Sequence, residues 1–276
     1  MYSWKAVIVL VLPFISGGHC QARERVLPNL PYGPDAEQLL DLHLPSDDTI
    51  RWTKVIVVLH GGAWGMGKKE DVNPDVASLR ARLPDYVIAN MDYRLGTRES
   101  PGFPKQLDDI QLALTFLKAS FPSTTLSFTF FGVSAGAHLA MLYSYAWDRG
   151  IGDAKVVVSY VGPVDFTDPA YCGVILYRPI IEPLLGSENN CQEYPDTWNV
   201  TSPLTYASTE SPPTIGFYGN LDILVPNSQM VRFEEKMFEL GVPHEFTRYP
   251  GGHGDWGEIN MNDMWTKIAA FAELYS

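Results

Sequence analysis

Features that are scarce in this chain of 276 residues exclude several classes of protein. Only 20 lysines and arginines stand against 32 aspartates and glutamates, and the formal net charge of −12 repels nucleic-acid backbones and anionic membrane surfaces. No apolar run reaches the roughly 20 residues that a membrane-spanning helix needs. No repeat, charge block or low-complexity run marks a domain boundary, and 46% hydrophobic residues suffice for a buried core. One globular domain is expected.

The first residues have the pattern of a secretory signal peptide. A positive charge at Lys5 is followed by the apolar run 6–15 and then by the small residues 16–18. Cleavage after Cys20 or Ala22 fits this pattern, and the second choice leaves residues 23–276 as the mature domain. We therefore expect residues 1–22 to be removed and the protein to be secreted.

Loss of this segment also changes the cysteine count from three to two. Cys172 and Cys191 then form an even pair, and a disulfide between them is expected in an oxidising compartment. Its closure would stabilise the fold by about 3 kcal/mol in the chain-entropy model. Two buried free thiols are the alternative. Asn199-Val200-Thr201 is an acceptor pattern for N-glycosylation, which fits the same route.

The mature chain alternates short apolar runs with longer amphipathic segments. Runs that are apolar throughout and separated by helices predict an α/β fold with a mostly parallel, doubly wound sheet covered on both faces. Alternating leucines in residues 38–44 predict an antiparallel strand at the leading edge of the sheet. Strands are predicted at 55–59, 86–91, 126–131, 156–161, 214–218 and 245–249, and helices at 76–83, 103–121, 136–147, 228–240 and 260–274.

One stretch, at about 162–211, interrupts this alternation. It is rich in proline, holds both remaining cysteines and has little periodicity. Ligands bind at the carboxyl ends of the strands in such sheets. A small inserted cap that shapes a substrate pocket is therefore expected there.

The strongest local motif is Gly132-Val133-Ser134-Ala135-Gly136, between a predicted strand and a predicted helix. Small flanking residues permit the tight turn that exposes the central serine at the edge of the sheet. Ser134 is therefore the candidate nucleophile. The alternative is that Ser134 only caps the helix.

A serine nucleophile needs a general base and a group that orients the base. In this arrangement the acid follows the nucleophile and the histidine comes last. Asp222 follows the predicted strand 214–218, and His253 follows the strand 245–249. Both loops lie at the same edge of the sheet as Ser134. Asp255 is too close in sequence to His253 to orient it, and Asp165 lies at the entrance of the cap.

A second loop, His60-Gly61-Gly62-Ala63-Trp64, directly follows the strand 55–59. Bare backbone at its glycines lets N–H groups approach a developing oxyanion, together with the N–H of Ala135. His60 is expected to stabilise the loop geometry rather than to transfer protons. An ordinary turn is the alternative for this sequence.

Together these motifs resemble the α/β-hydrolase superfamily, and within it the carboxylesterases and lipases related to hormone-sensitive lipase and to feruloyl-esterase-like enzymes. The resemblance implies that Gly62, Ala63 and Ala135 form the oxyanion hole with support from Gly61. Ala63 replaces the third glycine of the common form. The resemblance extends over residues 38–45, the loop 60–64, Asp92-Tyr93-Arg94-Leu95, the serine motif and residues 222–226.

The expected activity is hydrolysis of a small ester through an acyl-enzyme on Ser134. Trp64, Tyr93 and aromatic residues of the cap are expected to line the substrate pocket. No metal-binding spacing is present, and no metal, cofactor, nucleic acid or stable membrane insertion is expected. An arylformamidase is the nearest enzymatic alternative, because its H-G-G-x-W loop is similar. A non-catalytic binding protein on a hydrolase scaffold is the alternative of another class.

Overall fold

A computed structural model describes residues 25–46, 52–122 and 124–276. The predicted signal segment, 1–22, lies outside the described residues. The described part contains eight strands: β1 (Arg25–Pro31), β2 (Leu39–Leu44), β3 (Lys54–Leu59), β4 (Val87–Met91), β5 (Ser127–Val133), β6 (Ala154–Tyr160), β7 (Thr214–Gly219) and β8 (His244–Tyr249). Its α-helices are α1 (Asn73–Arg82), α2 (Lys105–Ser120), α3 (Ala135–Leu142), α4 (Arg178–Leu185), α5 (Pro195–Val200), α6 (Asn227–Leu240) and α7 (Gly257–Tyr275).

All eight strands belong to one sheet in the order β1-β2-β4-β3-β5-β6-β7-β8. β2 runs antiparallel to both of its neighbours, and the six strands β3 to β8 are parallel to one another. The prediction of a mostly parallel α/β sheet is therefore confirmed. Because β3, β5, β7 and β8 all end at the same edge, the loops that follow them are brought together.

Alternation within the buried strands divides the core into two layers. In β3, Val55, Val57 and Leu59 face the layer built from α2, α3 and α6, whereas Ile56 and Val58 face α1 and α7. All five of these side chains are fully buried. This explains why the strand is apolar at every position and why helices cover both faces.

The prediction that residues 38–44 form the edge strand is wrong. β2 occupies this position in the chain, but β1 pairs with its outer side and forms the edge. β1 contains Pro28 and Pro31, which remove backbone donors and make the segment look like a loop in sequence. An edge strand tolerates such residues because one side of its backbone needs no partner.

The segment between β6 and β7 contains α4, α5 and several short 3₁₀ turns. A disulfide joins Cys172 to Cys191, with their Cα atoms 5.5 Å apart. Asn199 lies in α5 and is exposed. We call residues 161–213 the insertion. In the described part of the chain, no helix combines the length and apolar character that crossing a bilayer requires.

Candidate active site

Ser134 lies at the turn between β5 and α3. Its backbone has φ 53° and ψ −115°, in the left-handed region that a residue with a side chain rarely adopts. Its hydroxyl makes no capping hydrogen bond to α3, which removes the interpretation of Ser134 as a simple helix cap. Strained backbone of this kind is characteristic of functional sites.

The two glycines of the motif permit the sharp turn. A Cβ atom on Gly132 would lie 2.4 Å from the backbone of Gly136 and Ala137, and one on Gly136 would lie 2.2 Å from the carbonyl oxygen of Leu59. These distances are shorter than any real contact of a Cβ atom. The close approach of β5, α3 and β3 therefore requires glycine at both positions.

Three side chains from three loops form a continuous hydrogen-bonded chain. Ser134 Oγ lies 2.9 Å from Nε2 of His253, and Nδ1 of the same ring lies 2.7 Å from Oδ2 of Asp222. The side chain of Asp222 is only 1% exposed, whereas that of His253 is 23% exposed. The structure thus brings together the three residues that sequence order singled out.

The second oxygen of Asp222 is also fully engaged. Oδ1 accepts hydrogen bonds from the backbone N–H of Leu224 at 2.8 Å and of Val225 at 3.0 Å. The competing acids have other partners, since Asp255 accepts from the N–H of Gly252 and Asp165 pairs with Arg232. Of these three acids, Asp222 is the one whose carboxylate contacts the imidazole.

The loop after β3 lies against the serine turn. A Cβ atom on Gly61 would be 3.4 Å from Cβ of Ser134. Ala63 and Trp64 have φ of 46° and 60°, so the backbone of this loop is left-handed at two residues that are not glycine. Within residues 25–46, 52–122 and 124–276, no protein acceptor receives the N–H of Gly62, Ala63 or Ala135. Three backbone donors therefore remain available beside Ser134.

His60 stabilises this loop through contacts with Gly61 and Tyr93. Nδ1 of its buried ring lies 2.6 Å from the carbonyl oxygen of Gly61, and the ring stacks on that of Tyr93 with centroids 4.2 Å apart. Burial lowers the pKa of His60, which keeps the ring neutral at physiological pH. These contacts agree with a role in loop geometry.

Tyr93 does not lie at the substrate pocket, contrary to expectation. Its side chain is 1% exposed, and its hydroxyl donates to the carbonyl oxygen of His60 at 2.7 Å. The residue lies beneath the loop 60–64 rather than beside Ser134. It supports the site without reaching a substrate.

A pocket of about 370 Å³ opens beside Ser134 and His253. Trp64 lines it, as expected, and half of the lining residues come from the insertion and from the loop of Asp222. These lining residues are apolar or aromatic and were not individually predicted: Phe166, Tyr171, Tyr177, Ile180, Ile181, Leu224 and Val225. For Phe166, Tyr171 and Tyr177 the signal in the sequence is the concentration of aromatic residues in the expected cap, whereas Leu224 and Val225 lie outside it.

Trp64 is held in place by a buried histidine. Its indole N–H donates to Nδ1 of His138 at 3.1 Å, and Nε2 of His138 lies 2.7 Å from the carbonyl oxygen of Thr201. The ring must therefore carry its proton on Nε2. Burial lowers the pKa of His138 to about 4, so this neutral form persists at neutral pH. The same ring connects α3 to the insertion.

The sheet order, the serine turn and the loops that converge on it define an α/β-hydrolase fold. A model of the BD-FAE family matches residues 40–237, and the chain belongs to this family.

Known proteins show the same relationship. Esterase LipQ of Mycobacterium tuberculosis is 26% identical over 262 residues, which make up 89% of this chain. The chain spans only 60% of the length of LipQ. A bifunctional GH43-CE protein of Bacteroides eggerthii superposes with a TM-score of 0.76 at 23% identity, covering 90% of this chain and 38% of its own. A truncated carbohydrate esterase from gut microbiota gives a TM-score of 0.75 at 20% identity, covering 93% and 100%.

Proposed function

We propose that this protein hydrolyses small carboxylic esters with Ser134 as nucleophile, His253 as general acid and base, and Asp222 as the group that orients the histidine. The observation that carries the proposal is the chain of hydrogen bonds from Ser134 through His253 to Asp222, at 2.9 Å and 2.7 Å, which opens into an apolar pocket. The names of the relatives, esterase and carbohydrate esterase, support the same reaction.

The reaction has two halves. Ser134 Oγ attacks the ester carbonyl while its proton passes to Nε2 of His253, and the tetrahedral intermediate expels the alcohol as His253 returns the proton to it. Water then attacks the acyl-enzyme and gives a proton to His253. His253 passes that proton to Ser134 Oγ as the carboxylic acid product is released. Asp222 holds Nδ1–H of the imidazole throughout.

The intermediate in both halves carries a negative oxygen. The N–H groups of Gly62, Ala63 and Ala135 are the donors that would stabilise it, since no protein acceptor among the described residues receives them. Gly61 contributes by its close approach to Ser134. Each such donor is typically worth about 10²- to 10³-fold in rate.

The central test is Ser134→Ala, assayed with a short p-nitrophenyl ester. We expect kcat to fall by about 10⁴-fold or more, because the acyl-enzyme cannot form. Ser78→Ala, in α1, is the matched control and should retain full activity, because the Ser78 hydroxyl donates to the carbonyl oxygen of Pro74 in the same helix. Undiminished hydrolysis by the Ser134 variant would refute the proposal.

Two other functions are distinguished from ester hydrolysis by the substrates that the protein turns over. An aryl formamide would suit the same three residues, and the aromatic wall formed by Trp64, Phe166 and Tyr171 favours it as second candidate. Faster turnover of a formyl-aryl amide than of the matched formate ester would establish the amide reaction. A non-catalytic binding protein would hydrolyse neither.

We also propose that the protein is secreted. The proposal rests on the pattern of residues 1–22, and the pairing of Cys172 with Cys191 and the exposure of Asn199 are compatible with it. Protein recovered from the medium of cells expressing the chain is expected to begin at residue 21 or 23. Retention of residues 1–22 inside the cells would contradict this.

A further inference from the structure

The loop that carries Asp222 packs into the protein mainly through Val225, and its other apolar side chains are exposed. Leu221 and Ile223, on either side of the acid, are 71% and 82% exposed. The start of the loop is tied to the loop of His253, since Leu221 N–H donates to the carbonyl oxygen of Gly251. Between Asp222 and the buried Val225, the backbone itself must be restrained if the carboxylate is to keep one orientation.

Two consecutive peptide groups of this stretch hold Oδ1 of Asp222. The N–H of Leu224 belongs to the peptide that begins with the carbonyl of Ile223, and the N–H of Val225 belongs to the peptide that begins with the carbonyl of Leu224. Both N–H groups donate to Oδ1, at 2.8 Å and 3.0 Å.

The carbonyl ends of the same two peptides accept hydrogen bonds from the insertion. The hydroxyl of Tyr177 donates to the carbonyl oxygen of Ile223 at 2.8 Å, and the hydroxyl of Tyr171 donates to that of Leu224 at 2.9 Å. Each tyrosine is therefore connected to Asp222 through one rigid peptide plane.

We propose that Tyr171 and Tyr177 are positioning residues for the acid, an inference that rests on the proposed roles of Ser134, His253 and Asp222. Fixing the oxygen of a planar peptide also fixes the direction of its N–H. Donation to the carbonyl polarises the peptide and strengthens the bond from its N–H to the carboxylate. Two such connections hold Oδ1, so that Oδ2 is presented to His253.

The tyrosines are themselves well anchored in the insertion. Their rings pack edge to face with centroids 4.7 Å apart, and Tyr171 also packs against Phe166. Tyr171 is directly followed by Cys172, the first cysteine of the disulfide. Burial, followed by smaller effects that include the charge of Asp222, raises the pKa of both hydroxyls, so they remain donors.

The test uses Tyr171→Phe, Tyr177→Phe and the double variant in the full chain. Phenylalanine retains the ring, the packing and the pocket wall and removes only the donor. Tyr206→Phe is the matched control, because the Tyr206 hydroxyl also donates to a backbone carbonyl of the insertion, that of Val200, away from Asp222. Thermal unfolding of each variant verifies that it is folded.

We expect each single variant to lower kcat about three- to tenfold, the effect of one hydrogen bond, with KM changed less than about twofold. The double variant should lose about 10- to 30-fold, and Tyr206→Phe should lose nothing. In the double variant, the low-field proton signal of His253 Nδ1–H should shift or broaden. In an Asp222→Asn background, the tyrosine changes should cause no further loss, because they act through the carboxylate.

Several results would overturn the inference. These are an unchanged kcat in the double variant, an effect confined to KM, or a loss of the same size in the Asp222→Asn background. The proposed function has a separate outcome: if Asp222→Asn itself leaves kcat intact, the assignment of the acid is wrong. If Asp222→Asn is inactive and the tyrosine variants are fully active, the acid stands and only the positioning role is refuted.

Discussion

The central strands and the insertion contribute to the same site by different physical means. In β3 and in most of β5 the side chains are buried on both faces, and hydrophobic packing dominates. The insertion shares this core through Phe166, Leu184 and Trp198, but it leaves Ile175 and Leu176 more than 70% exposed and is also held by a disulfide and by hydroxyl-to-carbonyl hydrogen bonds. The sheet places Ser134, whereas the insertion contributes to the pocket wall and donates hydrogen bonds to the loop of Asp222.

This difference predicts how the stability of each region should respond to substitutions. Packing in the sheet is cooperative, because each buried ring touches several strands or helices. The disulfide and the hydroxyl-to-carbonyl hydrogen bonds of the insertion act in addition to its packing, so the loss of one of them should loosen the insertion and leave the sheet intact. Three predictions test this contrast, in order of decreasing effect.

The largest effect is expected for Phe131→Ala in β5. Phe131 is fully buried and stacks on Trp265 of α7 with ring centroids 5.5 Å apart. Deletion of such a ring typically lowers the free energy of unfolding by about 3–5 kcal/mol. Denaturant unfolding should show this as one cooperative loss. Phe238→Ala, at a position that is 78% exposed, is the control and should change little.

Removal of the disulfide should have a smaller and more local effect. For Cys172→Ala with Cys191→Ala, the chain-entropy model gives a loss of about 3 kcal/mol for a loop of this length. Hydrogen exchange should become faster in the insertion while amides of β3 and β5 retain their protection. Equal acceleration in both regions would show that the sheet and the insertion unfold as one unit.

The smallest effect concerns the histidine that joins the two regions. The pKa of His138 is lowered from 6.5 to about 4 by burial, so the unfolded chain binds a proton more readily than the folded protein. Its contribution to stability is present above pH 6.5 and is lost as the pH falls toward 4. Between pH 7 and 5 the loss should be about 2 kcal/mol.

Chemical denaturation of the wild type and of His138→Gln at pH 7 and pH 5 measures this effect. The variant has no titrating ring, so its free energy of unfolding should fall less over the same interval. Parallel pH dependence in the two proteins would show that His138 does not titrate differently in the folded and unfolded states.

The contrast also explains how far prediction from sequence succeeds. The central strands are continuous apolar runs, and the motif around Ser134 lies between two of the predicted elements, so its geometry follows from local rules. Because parallel strands end at one edge, the positions of Asp222 and His253 after β7 and β8 were sufficient to predict that they meet Ser134.

Other features depend on contacts between distant parts of the chain. Tyr171 and Tyr177 reach carbonyls 53 and 46 residues away, and no periodicity in the insertion indicates this. The prediction that Tyr93 lines the pocket is wrong. Its position after a strand does not indicate that its hydroxyl donates to the carbonyl oxygen of His60. The two prolines of β1 make this strand hard to predict for a similar reason. A strand tolerates them when it lies at the edge of the sheet, and the sequence does not give that position.

Covalent labelling with a fluorophosphonate is the most direct test of Ser134 as the nucleophile. We expect one adduct per chain, located on Ser134 by peptide mass spectrometry, with ester hydrolysis lost in proportion to labelling. Labelling should be far slower in His253→Ala, because the base that takes the proton of Ser134 is missing. Ester hydrolysis that continues while Ser134 is fully labelled, or an adduct on a different residue, would show that Ser134 is not the nucleophile.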